Sequence, residues 1–278
     1  MESEMNFMLR KTMPFWIPLF LLLLYVLGNR CRGNHPGMNA LRGWSYAHRG
    51  LHGEGCPENS MAAFRAALEG GYGIELDIHL LKDGNLAVMH DSSLLRTVGH
   101  DLRIEDLTTE DLKNYHLEGT AETIPTFQEV LELFGGKAPL IVELKPVDGN
   151  HAALAEAACN MLETYQGAYC IESFDPRCVY WLKANRPHIV RGQLSENFVI
   201  SNSKLPLILR VILSHNLENF LTVPDFTAYQ FSDRRNTSTW ICRNIWKAQG
   251  VSWTLRSQEE YDTAVKEGWI PIFEGFRP

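Results

Sequence analysis

Acidic side chains line one face of a predicted β-strand, where a protein core would ordinarily be apolar. Residues 73–80 alternate strictly between apolar and polar side chains, and the polar face carries Glu75 and Asp77. A second apolar strand places Glu143 and Lys145 on its own inward face. Crowded buried carboxylates cannot all stay ionised without a strong counter-charge, so the three acids predict a site for one divalent cation held by oxygen ligands. The alternative is a half-exposed strand whose polar face meets water.

Two histidines, His48 and His90, each stand at the carboxyl end of a predicted strand. Active sites of α/β barrels are assembled at the carboxyl ends of the strands, so we expect both imidazoles beside the carboxylates. Imidazoles exchange protons near neutral pH and can serve as general acid and base. Arg49 follows His48, and its guanidinium suits a bidentate anion such as phosphate.

The elements that must position these side chains alternate between strand and helix from Trp44 onward. About eight such units over about 230 residues favour a closed (β/α)₈ TIM barrel of the α/β class over an open doubly wound sheet. Residues 92–123 break this rhythm and predict an insertion over one mouth of the barrel. The predicted strands are 44–48, 73–80, 85–89, 139–145, 168–172, 189–193, 219–223, 226–230, 251–255 and 269–274, and the predicted helices are 60–69, 126–134, 152–164, 176–184, 237–249 and 258–266.

The composition is that of a globular protein with a large core. The chain has 278 residues, of which 45% are hydrophobic and 21% charged, and its net charge is −7. Disorder and low complexity are thereby excluded. No dense cluster of lysines and arginines is present to meet a nucleic-acid backbone, so we expect no nucleic-acid partner. The six cysteines are scattered without a Cys-x-x-Cys pair, which makes a structural zinc site unexpected.

The N-terminal segment predicts a membrane anchor. Residues 12–29 are 18 residues without a charged side chain, near the lower limit of the roughly 17 to 25 residues that a spanning helix needs. We therefore predict a single N-terminal transmembrane helix within residues 1–29, a linker over residues 30–43 and a catalytic barrel over residues 44–278. A cleaved signal peptide is the alternative, but a small-residue cleavage motif is missing. The flanking basic residues differ by one charge, which leaves the side of the membrane open.

Seven short motifs occur in the order and approximate spacing of a known family. With them the chain resembles the glycerophosphodiester phosphodiesterases over about residues 44–278, as a membrane-anchored, bacterial-type member. Ser173-Phe174 and Trp253-Thr254 carry most of the resemblance in the second half. The seven motifs are His48-Arg49-Gly50, Pro57-Glu58-Asn59-Ser60, Glu75-Leu76-Asp77, Lys82-Asp83-Gly84, His90-Asp91, Ile124-Pro125-Thr126 and Glu143-Leu144-Lys145.

This resemblance implies a (β/α)₈ barrel that hydrolyses glycerophosphodiesters to an alcohol and glycerol phosphate. It also implies one divalent metal ion, Ca²⁺ or Mg²⁺, as the cofactor. Which histidine is the acid and which the base stays open. The matching positions are Glu75, Asp77 and Glu143 for the metal, His48 and His90 for the general acid and base, and Arg49 and Lys145 for the phosphate.

The sequence departs from the family in the strands that follow the metal motifs. The familiar Trp-Thr-Val-Asn is replaced by residues 253–256, Trp-Thr-Leu-Arg, and the usual closing Thr-Asp-x-Pro by residues 273–278. These changes bear on the alcohol and glycerol pockets rather than on the reaction class. Trp253 is a candidate to stack on the glycerol end of the substrate, although an aromatic residue on an apolar strand more often belongs to the core.

Three functions are compatible with these features. The first is a metal-dependent phosphodiesterase, held on a membrane as a single-pass protein, whose partners are a glycerophosphodiester substrate and the lipid bilayer. The second is a phospholipase of the same barrel type that acts on intact lipid. The third is a non-catalytic anchored module that binds a phosphorylated ligand or a protein. Retention of every acid, base and carboxylate that catalysis needs favours an enzyme.

Overall fold

Eight parallel strands close into a barrel in the computed structural model, which describes residues 16–201 and 203–278. In chain order the strands are β1 (Tyr46–His48), β2 (Gly73–Leu80), β3 (Leu86–Val88), β4 (Leu140–Leu144), β5 (Tyr169–Ser173), β6 (Arg191–Ser195), β7 (Phe226–Gln230), β8 (Gln249–Leu255) and β9 (Trp269–Phe273). β3 lies antiparallel on β2, outside the parallel ring. β1 pairs with both β2 and β9, which closes the ring. The predicted α/β barrel is confirmed.

Helices surround this ring. They are α1 (16–28), α2 (Met61–Glu69), α3 (Leu95–Val98), α4 (Thr109–Leu112), α5 (Phe127–Phe134), α6 (His151–Leu162), α7 (Pro176–Asn185), α8 (Leu207–Ser214), α9 (Asn219–Thr222), α10 (Thr237–Asn244) and α11 (Gln258–Lys266). The start of α5 shows why the sequence folds this way locally. Thr126 accepts a hydrogen bond from the backbone N–H of Glu129, whose carboxylate in turn accepts one from the backbone N–H of Thr126.

The predicted strand at 219–223 is wrong, because this segment is the short helix α9. Asn219 and Thr222 are buried and face the barrel, whereas Phe220 and Leu221 are exposed. A spacing of three residues between the buried positions is helical, while an alternating strand would have buried every second residue.

Two apolar layers hold the barrel together. The outward side chains of β2, such as Ile74 and Leu76, pack under the surrounding helices against Phe64 of α2. Inside the ring, a second cluster fills the end at which the strands begin, and Met38 and Leu41 complete it from outside the strands. Both residues lie in the segment predicted as a linker, so this part of the chain packs against the barrel instead of extending freely.

Residues 92–123, predicted as an insertion, form α3, α4 and single turns around an apolar cluster of their own. Leu94, Ile104 and Leu112 are buried in this cluster. It rests on the mouth side because Glu105 lies 2.7 Å from the Nδ1 atom of His79, near the end of β2. The insertion thereby borders the carboxyl ends of the strands.

The predicted transmembrane helix begins outside the described residues, since residues 1–15 are not among them. From position 16 the chain is helical up to position 28, and the side chains at 16–24 are all apolar and exposed. Across residues 16–201 and 203–278, no single helix combines the length and the apolar character needed to span a bilayer.

Candidate active site

Three carboxylates meet inside the barrel, near the end at which the strands terminate. Glu75 and Asp77 point inward from β2, and Glu143 points inward from β4, where it is paired in register with Asp77. One oxygen of each carboxylate lies within 4.8 Å of the others. All three residues are buried, with exposures of 3%, 1% and 6%. The side chains therefore converge and do not diverge into solvent as a half-exposed strand would require.

Two cations lie against this cluster. The Lys145 Nζ atom is 2.7 Å from Glu143 Oε1 and 3.1 Å from Asp77 Oδ1. The Arg49 guanidinium approaches Asp77 with its Nε atom 3.4 Å from Oδ2, and the backbone N–H of Arg49 donates to Glu75. These contacts reduce the repulsion among the acids, because each cation stands beside at least one carboxylate.

A strained turn aims the Arg49 backbone at the site. Arg49 has a φ of 53° and Asn59 has the same value, both in the left-handed region. The two residues are joined by the Asn59 N–H, which donates to the Arg49 carbonyl. The Asn59 amide also donates to Asp77 Oδ2 at 2.9 Å. This turn therefore ties the first mouth loop to the carboxylate cluster, which is consistent with strain being kept at a functional site.

The carboxyl groups of the cluster differ in acidity. Burial, followed by the charges of Asp77 and Glu143, raises the pKa of Glu75 well above its ordinary value. Burial also raises the pKa of Glu143 to about 7, although Lys145 opposes the change. Burial acts on Asp77 too, but Lys145, His90 and Arg49 outweigh it and the pKa of Asp77 is lowered. The charges of Arg49 and Lys145 are therefore not sufficient to stabilise the ionised form of all the acids in this site.

The residues present fit a divalent metal ion. Three carboxylates from two adjacent strands form an all-oxygen donor set of the kind that Ca²⁺ and Mg²⁺ prefer. Within the described chain, the Oε2 atom of Glu172 is buried without a hydrogen-bond donor. A buried carboxylate oxygen without a donor beside a carboxylate cluster is typical of a site built for a charged ligand.

Glu172 is a residue that the sequence reasoning missed. It points inward from β5, opposite Glu143 in the pairing of β4 with β5, and is 1% exposed. Burial raises the pKa of Glu172 well above its ordinary value, with further increases from Glu143 and Asp77. The predicted strand at 168–172 already contained this acid, and the alternation used for residues 73–80 would have placed it on the inward face.

His48 lies at the end of β1 between two acids. Its Nδ1 atom is 2.7 Å from Glu274, and its Nε2 atom is 3.8 Å from Glu75. Burial lowers the pKa of His48, while the contact with Glu274 opposes that change. The hydrogen bond with His48 lowers the pKa of Glu274 to about 2. Glu274 therefore fixes the orientation of the imidazole and leaves Nε2 on the side of the carboxylates.

His90 lies across the cavity with an equivalent arrangement. Its Nδ1 atom is 2.7 Å from Asp91, which Arg96 holds by a contact of 2.5 Å. The same Arg96 reaches Glu58, which also contacts Arg49. Burial lowers the pKa of His90 to about 4, which favours the neutral imidazole at pH 7.

A cavity of about 320 Å³ opens between the two histidines. Its lining contains Arg49, Lys145, Glu75 and Glu143 as well as Phe174 and Trp253. The two aromatic rings meet edge to face with centroids 5.5 Å apart. Trp253 is half-buried; it lines the cavity and also packs against the apolar cluster inside the barrel.

Comparison with known proteins relates the whole barrel to one group. A model of the glycerophosphoryl diester phosphodiesterase family matches residues 48–268. A protein from Bacillus altitudinis named glycerophosphodiester phosphodiesterase is 40% identical over 165 residues, which cover 55% of this chain and 67% of that protein. A mouse protein named glycerophosphodiester phosphodiesterase 1 is 27% identical over 251 residues, which cover 77% of this chain and 72% of its own length.

Solved structures agree on the fold. An Oleispira antarctica phosphodiesterase in complex with the product sn-glycerol-3-phosphate superposes with a TM-score of 0.68 at 23% identity, covering 83% of this chain and 92% of that one. A rat protein named lysophospholipase D is 32% identical over 133 residues, which cover 43% of this chain and 41% of that protein. Relatives of this barrel thus carry names for more than one diester substrate.

Proposed function

The chain belongs to the glycerophosphoryl diester phosphodiesterase family, and from this premise we propose that it hydrolyses glycerophosphodiesters to an alcohol and glycerol phosphate. One observation carries the proposal. Three buried carboxylates, two cations and two histidines converge on one cavity at the mouth of the barrel. A module that only binds phosphate would not need paired imidazoles and a cluster of three buried acids as well.

The metal dependence rests on Glu75, Asp77 and Glu143, which would hold one divalent ion, Ca²⁺ or Mg²⁺. When bound, such an ion supplies positive charge that neutralises phosphate oxygens as negative charge develops on them. Arg49 lies on the same side of the cavity, and its guanidinium can hold a phosphate oxygen as well as its present carboxylate partners. Lys145 lines the cavity and contacts Glu143 and Asp77, and in this proposal it shares its charge between these carboxylates and the phosphate.

Two-histidine proton transfer rests on the matched partners of His48 and His90. Glu274 and Asp91 each engage a Nδ1 atom, so each imidazole keeps its Nε2 atom for the substrate. In this proposal one imidazole accepts the proton of the hydroxyl that attacks phosphorus, the bond between phosphorus and the alcohol oxygen breaks, and the other imidazole donates a proton to that leaving oxygen. If the attacking hydroxyl is that of the glycerol, water then opens the cyclic phosphate, which completes the hydrolysis. Lowered pKa values favour the neutral form of both rings at pH 7. Each Nδ1 atom lies 2.7 Å from its carboxylate partner, so the geometry of the two histidines does not distinguish the general acid from the general base.

The membrane is part of this proposal. The uncharged segment at residues 12–29 continues into a helix whose apolar side chains are exposed, which supports a single-pass or embedded anchor. A protein held on a bilayer meets intact lipid as well as soluble diesters. Hydrolysis of intact lipid by the same barrel is therefore the second candidate function.

A panel of diesters tests the activity. The purified full chain is expected to release alcohol from glycerophosphocholine or a related diester when Ca²⁺ or Mg²⁺ is present, and to stop when a chelator is added. Glu143→Gln should remove the activity, whereas Glu156→Gln, at an exposed position on α6, should keep it. Absence of turnover with every diester and metal would contradict the proposal. Ligand binding that persists without turnover would favour the binding module.

A further inference from the structure

α1 is apolar on every side. The nine side chains at 16–24 are exposed without exception, and they include Trp16 at 64%, Phe20 at 59% and Leu22 at 57%. A helix that packs on a protein surface has one apolar stripe, whereas one that is apolar all round lies in apolar surroundings. The uncharged sequence continues through residues 12–15. Positions 16–24 of α1 therefore fit the apolar surroundings that a lipid bilayer provides.

The C-terminal end of α1 is held on the barrel by contacts of residues 25–32. Arg32 binds Asp225 at 2.5 and 2.7 Å, immediately before β7 begins. This part of the chain therefore lies at the end of the barrel where the strands begin, which we call the closed end. Asn29 lies further along, beside Cys242 near the end of α10. Tyr25 contacts His215 at 2.9 Å, next to Ser214, whose carbonyl accepts from Tyr229 near the end of β7.

Trp246, in the loop before β8, donates its indole N–H to the Val26 carbonyl, so the last turn of α1 lies between this loop and the end of α8. At about 1.5 Å per residue, positions 16–24 extend some 12 Å away from this contact. The apolar part of α1 therefore projects from the barrel beside the C-terminal end of α8.

A second apolar surface lies on that side. α8 and the loop before it follow the carboxyl end of β6, and Ser195 at that end donates to the Leu213 carbonyl. Arg210 donates to the carbonyls of Phe198 and Val199, which joins the loop to the helix. We call the resulting exposed patch the α8 surface, formed by Val199, Ile200, Leu205, Leu207, Ile208 and Val211. Ile200 is 78% exposed and Ile208 is 67% exposed.

The α8 surface is connected to the cavity by aromatic side chains. Phe198 contacts Phe174 with ring centroids 6.1 Å apart, and Phe174 lines the cavity beside Trp253. An apolar path thus leads from the cavity to the exposed patch. Lys204, exposed next to Leu205, can meet an anionic headgroup at the rim of the patch.

We infer that the α8 surface rests on the bilayer that receives α1, so that the mouth of the barrel faces the lipid surface. Two apolar elements on one side of the molecule can enter the same bilayer, since a common plane contacts both. Pairing of α8 with a second copy would cover this patch but leave positions 16–24 in water. The inference concerns orientation and does not depend on the diesterase activity.

Hydrogen exchange of the full chain tests this orientation. The probe is a vesicle of phosphatidylcholine with a minority of phosphatidylglycerol, and exchange is followed with and without it. Amides of 199–214 are expected to exchange about tenfold more slowly on vesicles, while amides of α11 should not change. Protection that is already present without vesicles and grows with protein concentration would show a dimer and overturn the inference. Absence of protection on vesicles would overturn it as well.

Two matched substitutions sharpen the test. Ile208→Glu places a charge on the α8 surface and should remove the protection of 199–214, while Ile208→Leu should keep it. Val265→Glu, on α11 at 48% exposure, is the control and should leave the protection unchanged. Protection that survives Ile208→Glu would overturn the inference. A protein that shows the protection but hydrolyses no diester would overturn the proposed function alone.

Discussion

The two ends of the barrel lumen are built from the same strands but differ in character. On β1, Tyr46 closes one end and His48 faces the mouth, and on β4 the same step of two residues separates Ile141 from Glu143. Every second side chain of a strand points to the same face. A step of two residues along the inward face therefore leads from the packed apolar end of the lumen to its charged end. The closed end supplies stability and the mouth supplies chemistry.

The charged end is tolerated because its charges are partly matched. Buried ions lose hydration, and only close partners repay that loss. Lys145 contacts the carboxylates of Asp77 and Glu143. In the described chain, the Glu75 carboxylate accepts one hydrogen bond, from the backbone N–H of Arg49. The mouth therefore costs stability that the closed end must offset, which the following substitutions test.

Replacement of Glu75 should give the largest effect on activity. Glu75→Gln removes one of the three proposed metal ligands, and we expect diester hydrolysis to fall by about 10³-fold or more, equivalent to about 4 kcal/mol. The same change removes a buried acid whose ionisation next to Asp77 is unfavourable, so the free energy of unfolding in chelator should not decrease. Rate assays and urea unfolding in chelator measure the two quantities. A variant that is both active and destabilised would reverse the comparison.

Replacement of either histidine comes next. His48→Ala and His90→Ala should each lower the rate by about 10² to 10⁴-fold, the usual contribution of a positioned acid or base. Steady-state kinetics with added Ca²⁺ or Mg²⁺ measures the loss. His188→Ala changes an imidazole that is 64% exposed at the other end of the molecule, and its rate should match the wild type. A fully active double mutant of His48 and His90 would remove both from the reaction.

Truncation at the closed end should have the opposite outcome. Leu41 is 1% exposed beneath the barrel, and Leu41→Ala should lower the free energy of unfolding by about 2 to 5 kcal/mol through lost burial and a cavity. The rate per folded molecule should stay unchanged, as shown by active-site titration beside chemical denaturation. Leu95→Ala, at a position 57% exposed, is the control for stability. A loss of rate without a loss of stability would show that the two ends are not separable.

The sequence was sufficient for the barrel and for the acids of β2 and β4, because alternation is a local signal. It was insufficient where the signal depends on distant partners. Glu274 meets His48 although 226 positions separate them, and no local pattern encodes that contact. Residues 30–43 are predicted as a linker from their three glycines, two asparagines and one proline, yet Met38 and Leu41 pack under the lumen. At α9 the short apolar run suited either helix or strand, and its buried face depends on the barrel behind it.

The smallest effect is expected at an acid that lies outside both ends. Glu218 is 5% exposed, and neither of its carboxylate oxygens has a partner in the described part of the chain. Burial raises the pKa of Glu218 to about 8.

A carboxyl group whose pKa is raised by folding contributes its full stability below its ordinary pKa, and that stability is lost as the pH rises toward 8. At pH 8 the free energy of unfolding of Glu218→Gln should therefore exceed that of the wild type by about 1 to 3 kcal/mol, and its melting temperature should be higher. At pH 5 the two proteins should differ little. Thermal melts between pH 5 and pH 9 measure this slope. An equal effect at both pH values would mean that the group is not an isolated buried acid, and that compensation of charge is not confined to the mouth.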